Sequence, residues 1–271
     1  MRYSELPVEG AAAQFVQCVW CLSAEVHEAS AAADPILPDG RVELLLNSGD
    51  PVLRHTATGH ERQSARHIAG QLTGSVCIAP TGRLDIIGVR LHPWAGGAFL
   101  GVPMSELRDR MLPADGVKVA DSLLSDASNA DEHDERLRLI VEALERRARG
   151  LAAPSRAAIS LTSQLMQGPG TPSVRKLADT MGLTTRRVQA IFTEQVGLTP
   201  KSLARIARLQ RALAHARHRP DLTLAAVAHD SGYYDHAHFV RDCQDIAGEA
   251  PGVALGRNDD VTTAFLDGSM R

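Results

Sequence analysis

The chain has 271 residues, of which 44% are hydrophobic and 23% charged, and its formal net charge is −3. This length suggests two domains, at roughly 100–200 residues each, and the ordinary globular composition excludes wholesale disorder. No apolar run approaches the roughly 20 residues of a membrane span, and residues 1–10 lack the features of a secretory signal peptide. Four cysteines in 271 residues exclude a disulfide scaffold and favour the reducing cytoplasm as the location.

The net charge conceals an uneven distribution. Residues 1–155 contain 15 Lys or Arg and 21 Asp or Glu. Residues 156–257 contain 13 basic and 8 acidic side chains, and residues 258–271 contain 1 basic and 3 acidic ones. Charge asymmetry between parts of a chain points to nucleic acid, although weakly when it stands alone. The candidate nucleic-acid binder is therefore the basic block, residues 156–257.

Residues 14–92 have the pattern of a β-rich region. Short apolar runs predict strands at residues 15–22, 42–46, 76–78 and 84–91. Turns rich in Gly and Pro separate them at Pro38–Gly40, Gly49–Pro51 and Pro80–Gly82. Several short strands at this spacing predict a small sandwich or barrel.

After Pro93 the pattern becomes helical. Helices are predicted at residues 95–100, 104–111, 119–127 and 133–149. The last has apolar residues at the i, i+3, i+4, i+7 spacing of an amphipathic helix, namely Leu137, Ile140, Val141 and Leu144. We expect a helical connector over residues 114–155, between a β-rich domain at 1–113 and the basic block.

The basic block contains an internal repeat. Five residues recur 50 positions later: Val174, Leu177, Ala178, Gly182 and Leu183 match Leu224, Val227, Ala228, Gly232 and Tyr233. Five more recur 51 positions later: Val188, Phe192, Val196, Gly197 and Pro200 match Phe239, Cys243, Ala247, Gly248 and Pro251. One inserted residue between paired helices accounts for the change of offset.

Each copy has the pattern of a helix-turn-helix unit. A short helix ends at a glycine that can adopt the left-handed conformation, and a capping residue starts a second helix. The cap is Thr184 or Thr185 in the first copy and Asp235 in the second. The second helix of such a unit enters the major groove of DNA, so we call these two the reading helices. Two copies are too few for a helical repeat array, which usually needs about three or more.

A helix starting at Thr199–Pro200 and running to about Arg217 is predicted between the copies. At ~1.5 Å per residue its length is about 27 Å. Successive major grooves on one face of DNA lie ~34 Å apart. A rigid helix of this length is compatible with two reading helices in adjacent grooves.

The outward faces of the reading helices carry the candidate DNA contacts. The predicted base readers are Arg186, Gln189, Ala190, His236 and Arg241. Arg recognises guanine and Gln recognises adenine, each contributing ~1–3 kcal/mol of discrimination. The predicted phosphate or flanking contacts are Thr184, Thr185, Arg187, Lys201 and His238, with Arg175, Lys176 and Arg205 as further phosphate candidates.

Residues across the block also follow a known family pattern. They are Leu177-Ala178, Gly182, Arg187, Phe192, Gly197-Leu198-Thr199-Pro200, Arg208-Leu209, Ala212, Val227-Ala228, Gly232-Tyr233-Tyr234-Asp235, His238-Phe239, Arg241, Gly248 and Pro251. With them, residues 156–255 resemble the DNA-binding domain of AraC/XylS-type transcriptional regulators. Two residues depart from the pattern: Cys243 stands where the family usually has Phe, and Ala237 is small for a reading face.

The N-terminal part carries a second resemblance. Leu37-Pro38-Asp39-Gly40 precedes Val42-Glu43-Leu44, and Gly88-Val89-Arg90-Leu91 runs towards Gly101-Val102-Pro103. These motifs are similar to the N-terminal domain of a subgroup of the same regulators. The resemblance implies a cupin-like β-barrel that senses a ligand or dimerises, and it assigns no effector-binding residue.

No residues in the N-terminal part form a convincing catalytic or metal site. Cys18 and Cys21 have a redox or zinc spacing, but no second pair follows, and strand alternation places them on opposite faces. Four histidines, His55, His60, His67 and His92, lack a tight spacing with a carboxylate and are expected at the surface or in loops. Asp39 precedes a glycine and is interpreted as a turn residue rather than half of a carboxylate pair with Glu43. We therefore predict no catalysis, metal or cofactor.

Together these patterns predict an α+β protein with two domains. A β-rich sensory or dimerisation domain (1–113) and a helical connector (114–155) precede an all-α tandem helix-turn-helix domain (156–257) and a flexible tail (258–271). The predicted function is a cytoplasmic transcriptional regulator that binds duplex DNA and responds to a small-molecule effector, without a membrane partner. Homodimerisation and contact with RNA polymerase stay open. The alternatives are a cupin-type small-molecule-binding or metal-dependent enzyme with a helical tail, and a non-specific DNA-binding protein.

Overall fold

The computed structural model describes residues 1–25, 34–168 and 172–256. The predicted tail, 258–271, lies outside the described residues. Within them the strands are β1 (Arg2–Pro7), β2 (Val16–Ala24), β3 (Asp34–Ile36), β4 (Glu43–Asn47), β5 (Val52–Thr56), β6 (Gly59–Arg62), β7 (Arg66–Ala69), β8 (Val76–Pro80), β9 (Leu84–Leu91) and β10 (Met111–Pro113). They form a six-stranded antiparallel sheet of order β1-β2-β9-β4-β7-β10 and a four-stranded one of order β3-β8-β5-β6.

The helices of the N-terminal part and the connector are α1 (Gly96–Leu100), α2 (Met104–Leu107), α3 (Lys118–Ser128) and α4 (His133–Arg149). The prediction of a helix over 104–111 was wrong at its end. Met111–Pro113 instead pairs with β7 as an antiparallel edge strand. Three residues are too few for a strand pattern to show in the sequence, so tertiary pairing decides their conformation.

The six-stranded sheet is the middle layer of the N-terminal part. Successive side chains of a strand point to opposite faces, so Val19 packs towards α3 and α4 while Trp20 packs towards the four-stranded sheet. Cys18 and Cys21 fall on these two different faces, as the alternation predicts. The two sheets face each other around a shared apolar core in a cupin-like arrangement, but they are separate open sheets and not one closed barrel.

The C-terminal part is helical throughout the residues described. Its helices are α5 (Arg156–Gln167), α6 (Val174–Met181), α7 (Thr185–Ile191), α8 (Pro200–His218), α9 (Leu224–Asp230), α10 (His236–Ala247) and α11 (Pro251–Gly256), with a π-helical turn at Phe192–Val196. The predicted two-domain α+β fold with a helical C-terminal part is confirmed. The exact domain limits given above stay a prediction.

The two parts of the chain pack against each other through the motif Leu37–Gly40 and helix α8. Gln210 Nε2 donates to the carbonyl oxygen of Pro38 at 2.6 Å. Gly40 has φ +78°, and a Cβ there would lie 2.5 Å from Leu203 Cδ1. The sequence motif that reads as a turn is thus also a contact between the domains, which only glycine permits at this position.

Candidate nucleic-acid interface

The repeat is visible in the local geometry of both helix pairs. Helix α6 ends at Gly182 (φ +63°), and the equivalent glycine after α9, Gly232, has φ +81°. In the first copy Leu183 N donates to the carbonyl oxygen of Ala178 at 2.9 Å. In the second copy Tyr233 N donates to that of Ala228, also at 2.9 Å. These are the left-handed ends expected of glycine-terminated helices. The same glycine turn and the same hydrogen bond after it therefore occur in both copies, as the helix-turn-helix interpretation expects.

Helix α7, the first reading helix, begins at a threonine cap. Thr184 Oγ1 accepts a hydrogen bond from Arg187 N at 3.2 Å, which settles the choice between Thr184 and Thr185. Val188, Ile191 and Phe192 are fully buried on the inner face. The outer face is exposed at Arg186, Arg187, Gln189 and Thr193 and half-buried at Ala190. The sequence prediction of inner and outer faces agrees with this structure.

Helix α10, the second reading helix, begins at Asp235, whose Oδ1 accepts from His238 N at 2.7 Å. Its inner face is formed by Phe239, Cys243 and Ile246, all buried. Burial raises the pKa of the Cys243 thiol to about 12, so it packs as a neutral apolar group in place of the usual Phe. The outer face is exposed at His236, Ala237, Arg241 and Gln244.

Two of the predicted phosphate ligands are engaged inside the domain. His238 packs edge-on against the Tyr233 ring at 5.2 Å between centroids, and its Nε2 lies 3.1 Å from Arg208 Nη2. Arg205 donates to Asp242 at 2.8 Å and to Asp245 at 2.7 Å. Both side chains therefore help to hold α10 on α8, which their exposed positions in the helical pattern did not indicate.

Four other basic side chains on this surface form no ion pair with the residues described. Within the ranges that the structure describes, no carboxylate lies within ion-pair distance of Arg186, Arg187, Lys201 or Arg241. All four side chains belong to exposed residues. They are available to an external anion, as phosphate neutralisation by a basic surface requires.

One exposed aromatic residue is absent from the DNA contacts predicted from sequence. Tyr234 is 92% exposed and lies in the turn between α9 and α10. It is the extra residue in the turn of the second copy. Gly182 precedes the cap Thr184 by two positions, whereas Gly232 precedes the cap Asp235 by three. The change of offset from 50 to 51 is the signal that marks it.

A second candidate site lies between the two sheets of the N-terminal part. A cavity of about 70 Å³ there is lined mostly by apolar side chains, among them Trp20, Leu45 and Ile86. A more open pocket of about 300 Å³ adjoins it and shares Gln63, Ser64, His67 and Met111 with its lining. We refer to these two adjoining spaces together as the chamber.

His67 is the titratable side chain at the junction of these two spaces. It is 7% exposed, so the expectation of a surface histidine was wrong here. Burial lowers its pKa below the ordinary value of 6.5. Its Nδ1 lies 2.8 Å from the carbonyl oxygen of Ser64, which can only accept. The neutral ring therefore carries its proton on Nδ1 and presents Nε2 as an acceptor.

The four histidines predicted from sequence do not converge. His55 and His60 face each other across the exposed β5–β6 hairpin, with ring centroids 4.3 Å apart. His92 stacks on Trp94 at 4.5 Å, away from the cavity lining. In the described part of the chain, no three histidine, cysteine or acidic side chains are grouped to hold a metal ion. No described helix is both long enough and apolar enough to cross a membrane.

The geometry of the C-terminal part agrees with a comparison against known families. Residues 177–257 match the family described as a helix-turn-helix domain. This part of the chain is an AraC-type helix-turn-helix domain. The prediction of a DNA-binding transcriptional regulator with an AraC-type domain is thereby confirmed. Residues 7–113 match a domain of unknown function (DUF6597).

The chain is also similar to several solved structures. A structure of ToxT from Vibrio cholerae is 8% identical, with 88% of this chain and 97% of that chain covered and a TM-score of 0.48. Wild-type ToxT bound to an unsaturated fatty acid is also 8% identical, with coverage of 88% and 94% and a TM-score of 0.44. The AraC-like transcriptional activator CuxR is 12% identical, with coverage of 65% and 69% and a TM-score of 0.27. A search of the curated proteins finds no significant match.

Proposed function

We propose that this AraC-type regulator binds duplex DNA in a sequence-specific manner, with α7 and α10 in two adjacent major grooves. The observation that carries the proposal is the duplication of capped, glycine-terminated helix pairs on either side of one continuous helix. That helix, α8, has 19 residues, which corresponds to about 28 Å at ~1.5 Å per residue. This length is compatible with reading helices placed in successive major grooves, which lie ~34 Å apart.

Base reading is proposed for Arg186, Gln189 and Ala190 of α7 and for His236 and Arg241 of α10. Their outward placement supports this assignment. Arg186 and Arg241 form no ion pair within the described residues, and an arginine guanidinium can form two parallel hydrogen bonds to guanine. Ala190 offers a methyl group for apolar contact with thymine.

Phosphate or flanking contacts are proposed for Thr184, Thr185, Arg187 and Lys201. Arg187 and Lys201 are exposed and form no ion pair among the described residues. Thr184 and Thr185 are exposed at the start of α7, beside Arg186 and Arg187. His238 is retained in this group because its side chain is still 32% exposed.

The test is a selection of bound sequences from a random DNA pool with the purified full chain. A specific regulator of this type enriches two short sequence boxes about one helical turn apart. Retention of all sequences alike, with a steep salt dependence, would identify a non-specific DNA-binding protein instead.

We further propose that the chamber between the sheets binds the effector. The inner cavity is lined mostly by apolar side chains, its carboxylate Glu43 is engaged by Arg90, and the acceptor Nε2 of His67 stands where the cavity meets the open pocket. The chemical class that fits is a small, uncharged, largely apolar molecule with one hydroxyl or N–H donor. The inner cavity of about 70 Å³ is smaller than the ~150 Å³ that holds a benzene ring. The polar end of the effector therefore reaches the open pocket, whose lining includes Arg54, Glu61 and Arg62.

Effector binding is tested by the thermal stability of the full chain in a panel of small alcohols, phenols and carboxylates. Ligands that bind the folded state raise the melting temperature. The proposal expects stabilisation by neutral donors, reduced in His67→Leu, which keeps the apolar volume and removes the acceptor. Stabilisation by carboxylates alone, or equal stabilisation of the variant, would contradict it.

A further inference from the structure

One short segment of the N-terminal part contacts the end of α10 and the end of the π-helical turn that continues α7, at equivalent positions of the repeat. Gln71 Nε2 donates to the carbonyl oxygen of Val196, at the end of the turn that follows α7, at 2.5 Å. Ser75 Oγ donates to the carbonyl oxygen of Ala247, at the end of α10, at 2.9 Å. Val196 and Ala247 are 51 positions apart, the offset that relates the two reading helices. We call residues 71–75 the clamp segment.

The contacts are close because both helices end in the same way. Gly197 and Gly248 each have φ +79° and leave the last carbonyl groups of their helices without intrahelical partners. A Cβ at Gly197 would lie 3.1 Å from Gln71 Oε1, and one at Gly248 would lie 3.4 Å from Ser75 Oγ. Ser75 N also donates to the carbonyl oxygen of Ile246 at 2.8 Å. The clamp segment thus completes the C-terminal ends of both helices.

The clamp segment is itself fixed to the N-terminal part. Asp109 N donates to the carbonyl oxygen of Gln71 at 2.9 Å, and Gly70 N donates to that of Arg110 at 2.9 Å. Thr73 donates to Asp109 Oδ1 through both its backbone N–H, at 2.6 Å, and its hydroxyl, at 2.8 Å. A displacement of one reading helix relative to the other therefore has to break hydrogen bonds to an anchored loop.

Gln71 is a poor choice for stability alone. Its side chain is fully buried, and its Oε1 has no hydrogen-bond partner in the described structure. Burying an unsatisfied acceptor is unfavourable, whereas an apolar side chain of similar volume avoids that penalty. The donor on Nε2 is what an apolar residue cannot supply, and it is directed at the first reading helix.

The clamp does not cover the DNA-facing residues. Arg186, Gln189, His236 and Arg241 are exposed while the clamp is engaged. The contact is at the C-terminal ends of the helices, whereas the candidate readers lie in their first two turns. A contact that leaves the readers free and links the helix ends acts on the arrangement of the helices, not on their access to DNA.

We propose that Gln71 and Ser75 are positioning residues that fix the separation of the two reading helices and thereby the spacing of DNA boxes that the chain accepts. Without the clamp, α8 and its packing are what relate the two copies. With it, the N-terminal part holds both helices in one register. The inference rests on the proposed binding of two adjacent grooves and adds the element that sets their spacing.

The experiment measures affinity of the full chain for DNA in which the two selected boxes are moved apart or together by one base pair. One base pair changes the separation by about 3.4 Å. For the native chain we expect each shift to weaken binding about ten-fold, as a mismatched contact does. For Gln71→Ala/Ser75→Ala we expect weaker binding at the native spacing. We also expect either shift to reduce the affinity of this variant by less than about three-fold, because the two helices can then move independently to meet the displaced boxes.

Gln210→Ala is the matched control. It removes another hydrogen bond between the two parts of the chain, to Pro38, without touching a reading helix. Gln71→Glu, which keeps the size of the side chain and replaces the donor with an acceptor, is expected to behave like the double variant. A spacing profile that is unchanged in both clamp variants, or that broadens equally in Gln210→Ala, overturns the inference. Failure of the native chain to select any boxes overturns the proposed function instead.

Discussion

Arg208 and Asp242 form a buried ion pair that joins the connecting helix α8 to the second reading helix. Arg208 Nη2 donates to Asp242 Oδ2 at 2.6 Å, and the two side chains are 8% and 4% exposed. The guanidinium also lies over the ring of Tyr233, 4.3 Å from its centroid. The Arg208 guanidinium, which belongs to the connecting helix, therefore contacts both the turn and the reading helix of the second unit.

Replacing Asp242 with Ala is expected to destabilise the full chain by about 3–5 kcal/mol, because it removes the carboxylate from beside a buried guanidinium. The free energy of unfolding from urea titration measures the effect. Asp221→Ala is the control, since its pair with Arg219 is more than half exposed and such pairs stabilise little. Equal small losses in both variants would show that the buried pair is not a structural link.

Replacing Arg186 with Ala is expected to weaken binding to the selected DNA by ~1–3 kcal/mol and to relax the preference at one base. Binding to random DNA should change much less. Lys201→Ala, at a proposed phosphate contact, should instead weaken binding to both kinds of DNA by a similar factor and lower the salt dependence. If Arg186→Ala reduces both affinities equally, Arg186 is not a base reader.

Inserting two residues into α8, after Gln210, is expected to abolish simultaneous binding of both boxes. Each inserted helical residue adds ~1.5 Å and rotates the second unit by about 100°. Footprinting on the selected DNA should then show protection of one box only. Protection of the native length by the insertion variant would refute the two-groove arrangement.

The pH dependence of stability should report the buried His67. Its pKa is lowered by burial from the ordinary 6.5, so below that pH the unfolded chain takes up a proton that the folded ring resists. Stability is therefore full above pH 6.5 and falls on acidification, by up to about 1.4 kcal/mol per pH unit until the folded-state pKa is reached. His92, whose pKa burial also lowers, contributes with the same sign.

Urea unfolding between pH 8 and pH 5 measures this slope, and His67→Gln should flatten it. The control is His60→Gln on the exposed β5–β6 hairpin, which should leave the profile of the native chain unchanged. An identical slope in His67→Gln would show that the ring takes up its proton equally well in the folded state.

The cost of adding a methyl group at two left-handed glycines should differ. Gly182 has φ +63° with no atom within 4 Å of a built Cβ, so Gly182→Ala is expected to cost only backbone strain of about 1–2 kcal/mol. At Gly197 the Cβ would lie 3.0 Å from that of Met104, and Gly197→Ala should cost more. Thermal unfolding compares the two, and a larger loss in Gly182→Ala would contradict the packing described.

The parts of the structure set by local chemistry were predictable from sequence. The caps Thr184 and Asp235 and the glycines that end helices act within a few residues, so their pattern gave both helix pairs and their exposed faces. The segment 66–69 gave no strand signal because β7 is short and depends on its neighbours in the sheet. The burial of His67 and the contacts of Gln71 depend on residues far away in the chain, which local periodicity cannot reveal.

The two reading helices are alike in their capped starts and buried faces, but their outward-facing residues differ. Two positions after the cap stands Arg186 in one helix and Ala237 in the other, and five positions after it stand Gln189 and Val240. A single chain with two unlike surfaces in fixed order has a direction along the duplex, unlike a two-fold dimer that is indifferent to which way it lies. Reversing the orientation of the DNA site relative to a gene would therefore also reverse the side of the site on which the N-terminal part lies.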